Sequence, residues 1–320
     1  MSEVKSFTPM DLALLRRVAA RGISLDTAAM IQDPNPIETA ILGSVGLRGR
    51  GRPTYILRTG HADYATQMQV ENHHARITLL APTPDGESPI WPWLSLVDNL
   101  LVQAGKRGAH LVTAEVPIEG SVYELFRRAG FTIYSRQALF CLEKTQAVTT
   151  AESAVLRVRP IEDIDCTHLN ALYANTVPRL VQQADPAPST WSGLALILEG
   201  RLRGCLTVSE GRNGILVKPY IHPELEDRIP EVFALALAQL PNRKIFVRVL
   251  AYQAWLRSSL EHDLGFEEVA HHALMARHTV ILRETSVFSP LIALENLPFA
   301  PSIEIALESS IQPERAIKKN

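Results

Sequence analysis

The predicted order of strands and helices restarts near the middle of this chain, and that repeat limits the fold more than any other feature. A strand, a helix, three strands, a helix, a strand, a helix and a closing strand are predicted up to residue 142, and again from residue 155. The 320 residues also exceed what one ordinary core needs. We therefore predict an α/β protein with two domains, residues 1–145 and 155–284, each with its own mixed sheet of the same strand order.

Two segments show no helical or strand period. Residues 146–154 are small and polar, which is typical of a linker. Residues 285–320 contain Pro290, Pro298, Pro301 and Pro313 without helical spacing, and they are predicted to form an extended or disordered tail.

Composition excludes several classes of protein. Hydrophobic residues at 46% and charged residues at 21% are those of a globular chain. The net charge of −2 gives no electrostatic reason to expect a nucleic-acid or membrane partner. The N-terminus has no apolar signal core and no stretch is long enough to cross a bilayer, so we expect a cytoplasmic protein.

No metal site is predicted. The three cysteines lack the close pairing of a zinc site. His73–His74 and His271–His272 are adjacent pairs in predicted strands, so the two side chains of each pair should point to opposite faces and cannot chelate one ion.

Three short motifs carry a resemblance to a known family. The segments Tyr123–Phe131 and Leu260–Phe266 both end a helix at a glycine, which permits a left-handed cap, and start a strand with phenylalanine. The run Ile221–Glu224 ends a predicted fourth strand with proline and glutamate. The chain resembles a tandem form of the GNAT superfamily of N-acyltransferases over residues 4–142 and 155–283. The resemblance implies the acyl-CoA N-acyltransferase fold and acyl transfer from acetyl-CoA to an amine of a small molecule or peptide.

The resemblance also implies a place for acetyl-CoA, at a loop whose bare backbone N–H groups hold the pyrophosphate. In the second half this loop aligns with residues 226–231, where acids and side chains replace the expected arginine and glycines. Trp91 and Trp93 are expected to fill the groove between the fourth and fifth strands of the first half. The candidate cofactor-binding residues, all in the first half, are Leu79, Leu80, Pro82, Gly86 and Ser88.

The general acid implied by the resemblance is a tyrosine four residues before the glycine, but Phe126 and Glu261 stand at those positions. The remaining catalytic candidates are Tyr123, one helical turn before Phe126, and Glu71, as a general base toward an amine. Two interpretations stay open. One is an N-acetyltransferase with a divergent site, and the other is a catalytically degenerate protein that keeps the fold and its interdomain cleft for a ligand or partner.

Overall fold

The computed structural model describes residues 3–32, 35–44, 52–143 and 155–279. The predicted linker and the predicted tail lie outside these residues. The helices are α1 (Leu12–Ala19), α2 (Thr27–Gln32), α3 (Pro36–Ser44), α4 (Trp91–Lys106), α5 (Ser121–Arg128), α6 (Cys166–Thr176), α7 (Arg179–Ala184), α8 (Ile229–Leu237) and α9 (Leu256–Ser258). None of the helices in the described ranges is both long and apolar enough to span a membrane.

The described strands form one mixed sheet. Those before the linker are β1 (Val4–Ser6), β2 (Ile23–Ser24), β3 (Thr54–Arg58), β4 (Asp63–Glu71), β5 (His74–Ala81), β6 (Leu111–Pro117) and β7 (Thr132–Leu142). Those after it are β8 (Leu156–Pro160), β9 (Gly193–Leu198), β10 (Arg201–Glu210), β11 (Ile215–Ile221), β12 (Ile245–Leu250) and β13 (Glu267–His278). The order across the sheet is β1-β3-β4-β5-β6-β13-β7-β12-β11-β10-β9-β8, with β2 paired to β5.

The sheet is continuous because the two closing strands exchange places. Strand β13, from the second half, pairs antiparallel with β6 of the first half. Strand β7, from the first half, pairs antiparallel with β12 of the second half. The prediction that each half has its own sheet is therefore wrong, although the strand order up to the closing strand repeats. Hydrophobic periodicity identifies strands but does not identify their neighbours, and closing strands of similar character fit either position.

The largest hydrophobic cluster on each side of the sheet's centre packs mainly residues of one half, and the two predicted glycine–phenylalanine turns contribute to these two clusters. Gly130 and Gly265 have φ of 77° and 69°, the left-handed conformation that glycine adopts at least cost. The phenylalanines that follow are buried. Phe131 packs edge-on against Phe126 at 5.0 Å between ring centroids, and Phe266 packs against Phe233 at 6.3 Å. The turns thus anchor the exchanged strands in the cores.

Strand exchange makes a specific prediction about the separated halves. A fragment of residues 155–279 lacks β7, which leaves unpaired backbone N–H and C=O groups on β12 and β13. We expect that fragment to be unfolded or aggregated by circular dichroism and gel filtration. The full chain, cut by a protease at a site introduced within residues 144–154, should stay together as one folded species. A fragment 155–279 that unfolds cooperatively as a monomer would contradict the exchange.

Candidate functional site

The fourth and fifth core strands of each half are parallel and pair only at their beginnings. Strands β5 and β6 pair from His74 with Leu111 to Arg76 with Thr113. Strands β11 and β12 pair over residues 215–217 and 245–247. No further pairing joins these strands in the described part of the chain, so a gap opens in each half. These gaps, here called the first and second grooves, are where the family resemblance places the cofactor.

The first groove holds a strand of the chain itself. Strand β2 pairs antiparallel with β5, with Ile23 opposite Leu80 and Ser24 opposite Leu79. Strand β4 pairs with β5 at the same two residues. Because a strand has only two edges, β2 must lie on the edge of β5 that faces β6. The backbone of the predicted cofactor-binding residues Leu79 and Leu80 is therefore paired on both sides.

The same segment also contacts both walls of the first groove. The Leu25 N–H donates to the Thr78 carbonyl of β5 at 3.2 Å, and the Leu25 carbonyl accepts from the Glu115 N–H of β6 at 2.9 Å. At the other end, the Thr83 N–H donates to the Arg21 carbonyl at 2.7 Å. Residues 21–25 thus bridge the separated strands with backbone hydrogen bonds.

Gly22 allows this close approach. A Cβ at Gly22 would lie 2.8 Å from the Ala81 Cβ and 3.0 Å from the Leu80 carbonyl oxygen, closer than real Cβ contacts allow. Any side chain at this position would push the segment away from β5.

A side chain fills the second groove. The Gln253 amide nitrogen donates to the Pro219 carbonyl of β11 at 2.5 Å, and its amide oxygen accepts from the Leu250 N–H of β12 at 3.1 Å. Gln253 is 4% exposed. One buried glutamine therefore satisfies backbone groups that the separation of β11 and β12 leaves without strand partners.

The loop before α4, where the resemblance places the pyrophosphate, already holds an anion. The Asp85 Oδ1 accepts from the N–H groups of Glu87 at 3.1 Å and Ser88 at 2.9 Å, and Oδ2 accepts from the Ser88 hydroxyl at 2.9 Å. Hydrogen bonds from the Ser88 backbone and side chain lower the pKa of Asp85, so its carboxylate is charged at neutral pH. Gly86, with φ of 83°, forms the turn that brings these groups together.

The two tryptophans do not both fill the groove, so that part of the expectation is wrong. Trp93 is buried in the first core, packs edge-on against Tyr64 at 4.9 Å, and donates from its indole N–H to the Pro82 carbonyl at 2.8 Å. Trp91 is 47% exposed. A helix places residues two apart on different faces, so only one indole of the pair can enter the core.

The two catalytic candidates, Glu71 and Tyr123, lie in different surroundings. Glu71 is exposed, pairs with Arg76 at 2.7 Å, and lies at the rim of a cavity between the two halves. Tyr123 packs half-buried against the hydrophobic core of the first half. The structure brings Glu71, but not Tyr123, to the cavity wall.

The cavity between the halves has a volume of about 300 Å³. Its walls come from β5, β6 and β7 of the first half, from β11 and β12 of the second, and from residues 25–28 and 184–190. Since β7 and β13 cross between the halves, the cavity exists only in the assembled chain.

A hydrogen-bonded network connects the two halves at this cavity. The buried Arg248 of β12 donates from Nε to the Gln137 Oε1 at 2.6 Å and from a terminal nitrogen to the Asp185 Oδ2 at 2.9 Å. The Gln137 amide donates to the Glu115 Oε2 at 2.9 Å. That same oxygen accepts from the N–H of Thr27, at 2.8 Å, and from its hydroxyl. The Arg248 guanidinium and the Gln137 amide thus connect β6, β7, β12, α2 and the segment that follows α7.

The carboxylates of this network are charged. Burial by itself would raise the pKa of Asp185, but Arg248 and, to a lesser degree, Lys218 lower it to about 2. Burial by itself would also raise the pKa of Glu115. The attraction of Arg248 and the hydrogen bonds from Thr27 outweigh that effect and lower the pKa. Arg248 therefore stabilises two negative charges at once.

Lys218 differs from the other ions of the cavity. It stands on β11, is half-buried and lines the cavity. Within the described ranges its ammonium group has neither a hydrogen bond nor an ion pair. Burial lowers the pKa of Lys218, and the attraction of Asp185 opposes that shift. The Nδ1 of His74, also on the cavity wall, is buried and has no hydrogen-bond partner among the described residues.

His271 and His272 lie together in β13, as predicted, whereas His73 lies in the turn between β4 and β5 and only His74 is in a strand. His73 and His271 are exposed, whereas His74 and His272 turn inward and are half-buried. Over the described ranges, no group of three or more histidine, cysteine, aspartate or glutamate side chains is arranged to hold a metal ion.

Sequence reasoning named an interdomain cleft but missed the charged residues that line it, although a signal was present. Glu115, Lys218 and Arg248 each stand alone among apolar residues in a strand. A charged side chain at such a position is expensive to bury unless it is paired or used, so it marks a polar site within the fold. The partners of these charges come from distant elements and are not visible in the sequence.

Comparison with known proteins establishes the fold. No protein-family model and no curated protein matches the chain. Among solved structures it is similar to a GCN5-related N-acetyltransferase from Sphaerobacter thermophilus, with a TM-score of 0.55 and 12% identity over 87% of this chain and 95% of that one. It is also similar to a tandem GNAT protein from the clavulanic acid biosynthesis pathway, with a TM-score of 0.52 and 13% identity over 87% and 98%. The predicted mixed α/β architecture of two tandem GNAT-like units is confirmed.

Substituting Gly22 tests the filling of the first groove. We expect Gly22→Val to lower the free energy of unfolding by about 1–3 kcal/mol in urea titration, since the new side chain overpacks against β5. Gly60→Val is the matched control, because a Cβ at Gly60 would meet no atom of the described residues within 4 Å. Equal effects of the two substitutions would show that residues 21–25 do not pack against β5.

Substituting Arg248 tests the network. Arg248→Met leaves Glu115 and Asp185 without their shared cation, so we expect a loss of about 3–5 kcal/mol in the free energy of unfolding. The control is Arg127→Met, which removes an exposed ion pair with Glu124 at 3.6 Å and should cost about 0–1 kcal/mol. An Arg248→Met protein as stable as this control would mean that the network does not join the halves.

Proposed function

We propose that this chain is a small-molecule-binding protein built on the tandem GNAT fold, and that neither half transfers acyl groups from acetyl-CoA. The observation that carries the proposal is the occupation of the first groove by residues 21–25. The backbone groups of β5 that face the groove are already hydrogen-bonded there, so a cofactor would have to displace a strand of the protein.

The residues around the grooves do not fit acetyl-CoA. The Asp85 carboxylate uses the N–H groups of the first loop, and a pyrophosphate would meet its negative charge. In the second half Glu226 and Asp227 are exposed at the corresponding loop, and Pro230 has no N–H to donate. Cofactor binding at either groove would thus require breaking internal bonds and bringing like charges together.

The positions of the implied general acid also lack proton-donating tyrosines. Phe126 is fully buried and has no titratable group. Tyr123 packs on the core of the first half and is not among the described residues that line the cavity. These positions support a binding role over proton transfer.

The cavity between the halves is the remaining concave site. Its volume is at the lower end of the range for small-molecule pockets. The network around Arg248 fixes the positions of the charged groups before any ligand arrives, which reduces the entropy lost on binding. A cavity shared by both halves also explains why the fold is kept when the cofactor motifs are not.

Titration of acetyl-CoA into the full chain tests this proposal. We expect isothermal calorimetry to show no binding at cofactor concentrations up to about 1 mM, because binding must displace β2 and overcome the Asp85 charge. The melting temperature should likewise stay unchanged on adding acetyl-CoA. Micromolar affinity would contradict the proposal and favour an N-acetyltransferase.

A further inference from the structure

The charges on the cavity wall define a class of ligand. We infer that the cavity binds a small zwitterion, an amino acid with an apolar side chain. The inference rests on the proposed function, because it concerns the same cavity. Three features carry it: a cation and carboxylate oxygens that have no partners among the described residues, and an apolar wall beside them.

Lys218 is the group that would bind the ligand carboxylate. Its ammonium has three donors and, over the described ranges, no acceptor on the protein. A cation held half-buried without a partner costs stability, and an anionic group from a ligand removes that cost. The hydroxyl of Tyr134, on the cavity wall, also has no hydrogen-bond partner in the described part of the chain.

Two carboxylates have oxygens free for an ammonium group. Every hydrogen bond to Glu115 goes to Oε2, so Oε1 accepts none from the described residues. Asp185 accepts from Arg248 at Oδ2, and its Oδ1 accepts no hydrogen bond from the described residues. Since both groups line the cavity and are charged, they offer acceptors to a cationic group of the ligand.

The rest of the wall is apolar. Leu25, Ala114, Leu216 and Pro188 line the cavity beside the charged groups. A ligand of this volume range can place a branched or aromatic side chain against them, with a gain from the area removed from water.

Ligands with a single charge fit less well. A purely cationic molecule leaves Lys218 unpaired and is repelled by it. Asp26 and Glu71 on the wall pair with Arg76. A purely anionic molecule beside Lys218 would still be repelled by the outward oxygens of Glu115 and Asp185 and would give them no cation. A zwitterion satisfies both signs.

The test uses the full chain. Valine, leucine, isoleucine, methionine and phenylalanine, all in the L form, are screened by thermal shift, and the one with the largest effect is titrated by calorimetry. Its amine lacking the carboxylate and its acid lacking the ammonium are titrated beside it. We expect each analogue to bind at least about tenfold more weakly, since each loses a charge-assisted hydrogen bond.

Lys218→Met separates binding from folding. It should weaken binding of the amino acid by at least about tenfold while leaving the melting temperature unchanged or higher, because an unpaired buried cation is removed. Lys244→Met is the matched control, since Lys244 pairs with Glu143 outside the cavity, and it should leave affinity unchanged.

Failure of all five amino acids to raise the melting temperature, or full affinity in Lys218→Met, would overturn the inference. If acetyl-CoA also fails to bind, the result still supports the proposal that the protein does not use acetyl-CoA, and only the inference of an amino-acid ligand is wrong. Binding of acetyl-CoA would instead overturn the proposed function, whatever the amino acids do.

Discussion

The pairing of β13 with β6 and of β7 with β12 is the constraint on which the rest of the structure depends. Each half completes its sheet with a strand from the other, so neither half is a closed folding unit. The exchange places β6, β13, β7 and β12 next to one another in that order across one sheet. Glu115 of β6, Gln137 of β7 and Arg248 of β12 can therefore meet, and the cavity forms where they do.

A second feature is that the protein supplies its own hydrogen-bond partners for the backbone groups that the separated parallel strands leave unpaired with each other. Parallel strands that separate expose backbone donors and acceptors that must find partners. In the first half the partner is a strand, β2, together with Leu25. In the second half it is the side chain of Gln253. Different solutions in the two halves support the interpretation that the grooves are filled as part of folding rather than kept for a ligand.

The sequence predicts the elements well and their connections poorly. The order of strands and helices is predicted because hydrophobic periodicity is local, and the turns at Gly130 and Gly265 are predicted because glycine marks a left-handed cap. Strand β2 is too short to show a period, so the segment that fills the first groove is not predicted. The strand exchange and the charged network depend on contacts between residues from different elements, such as Thr27 with Glu115 (88 positions apart) and Gln137 with Arg248 (111 positions apart), which no local pattern records.

Hydrogen exchange of individual backbone amides, followed by NMR, tests the central claim most directly. If residues 21–25 form a strand within the groove, the amides of Leu25 and Glu115 should exchange as slowly as those of the core strands β5 and β6, and adding acetyl-CoA should not change their rates. Rapid exchange at both amides in the absence of acetyl-CoA would show that the groove is open and would contradict the account.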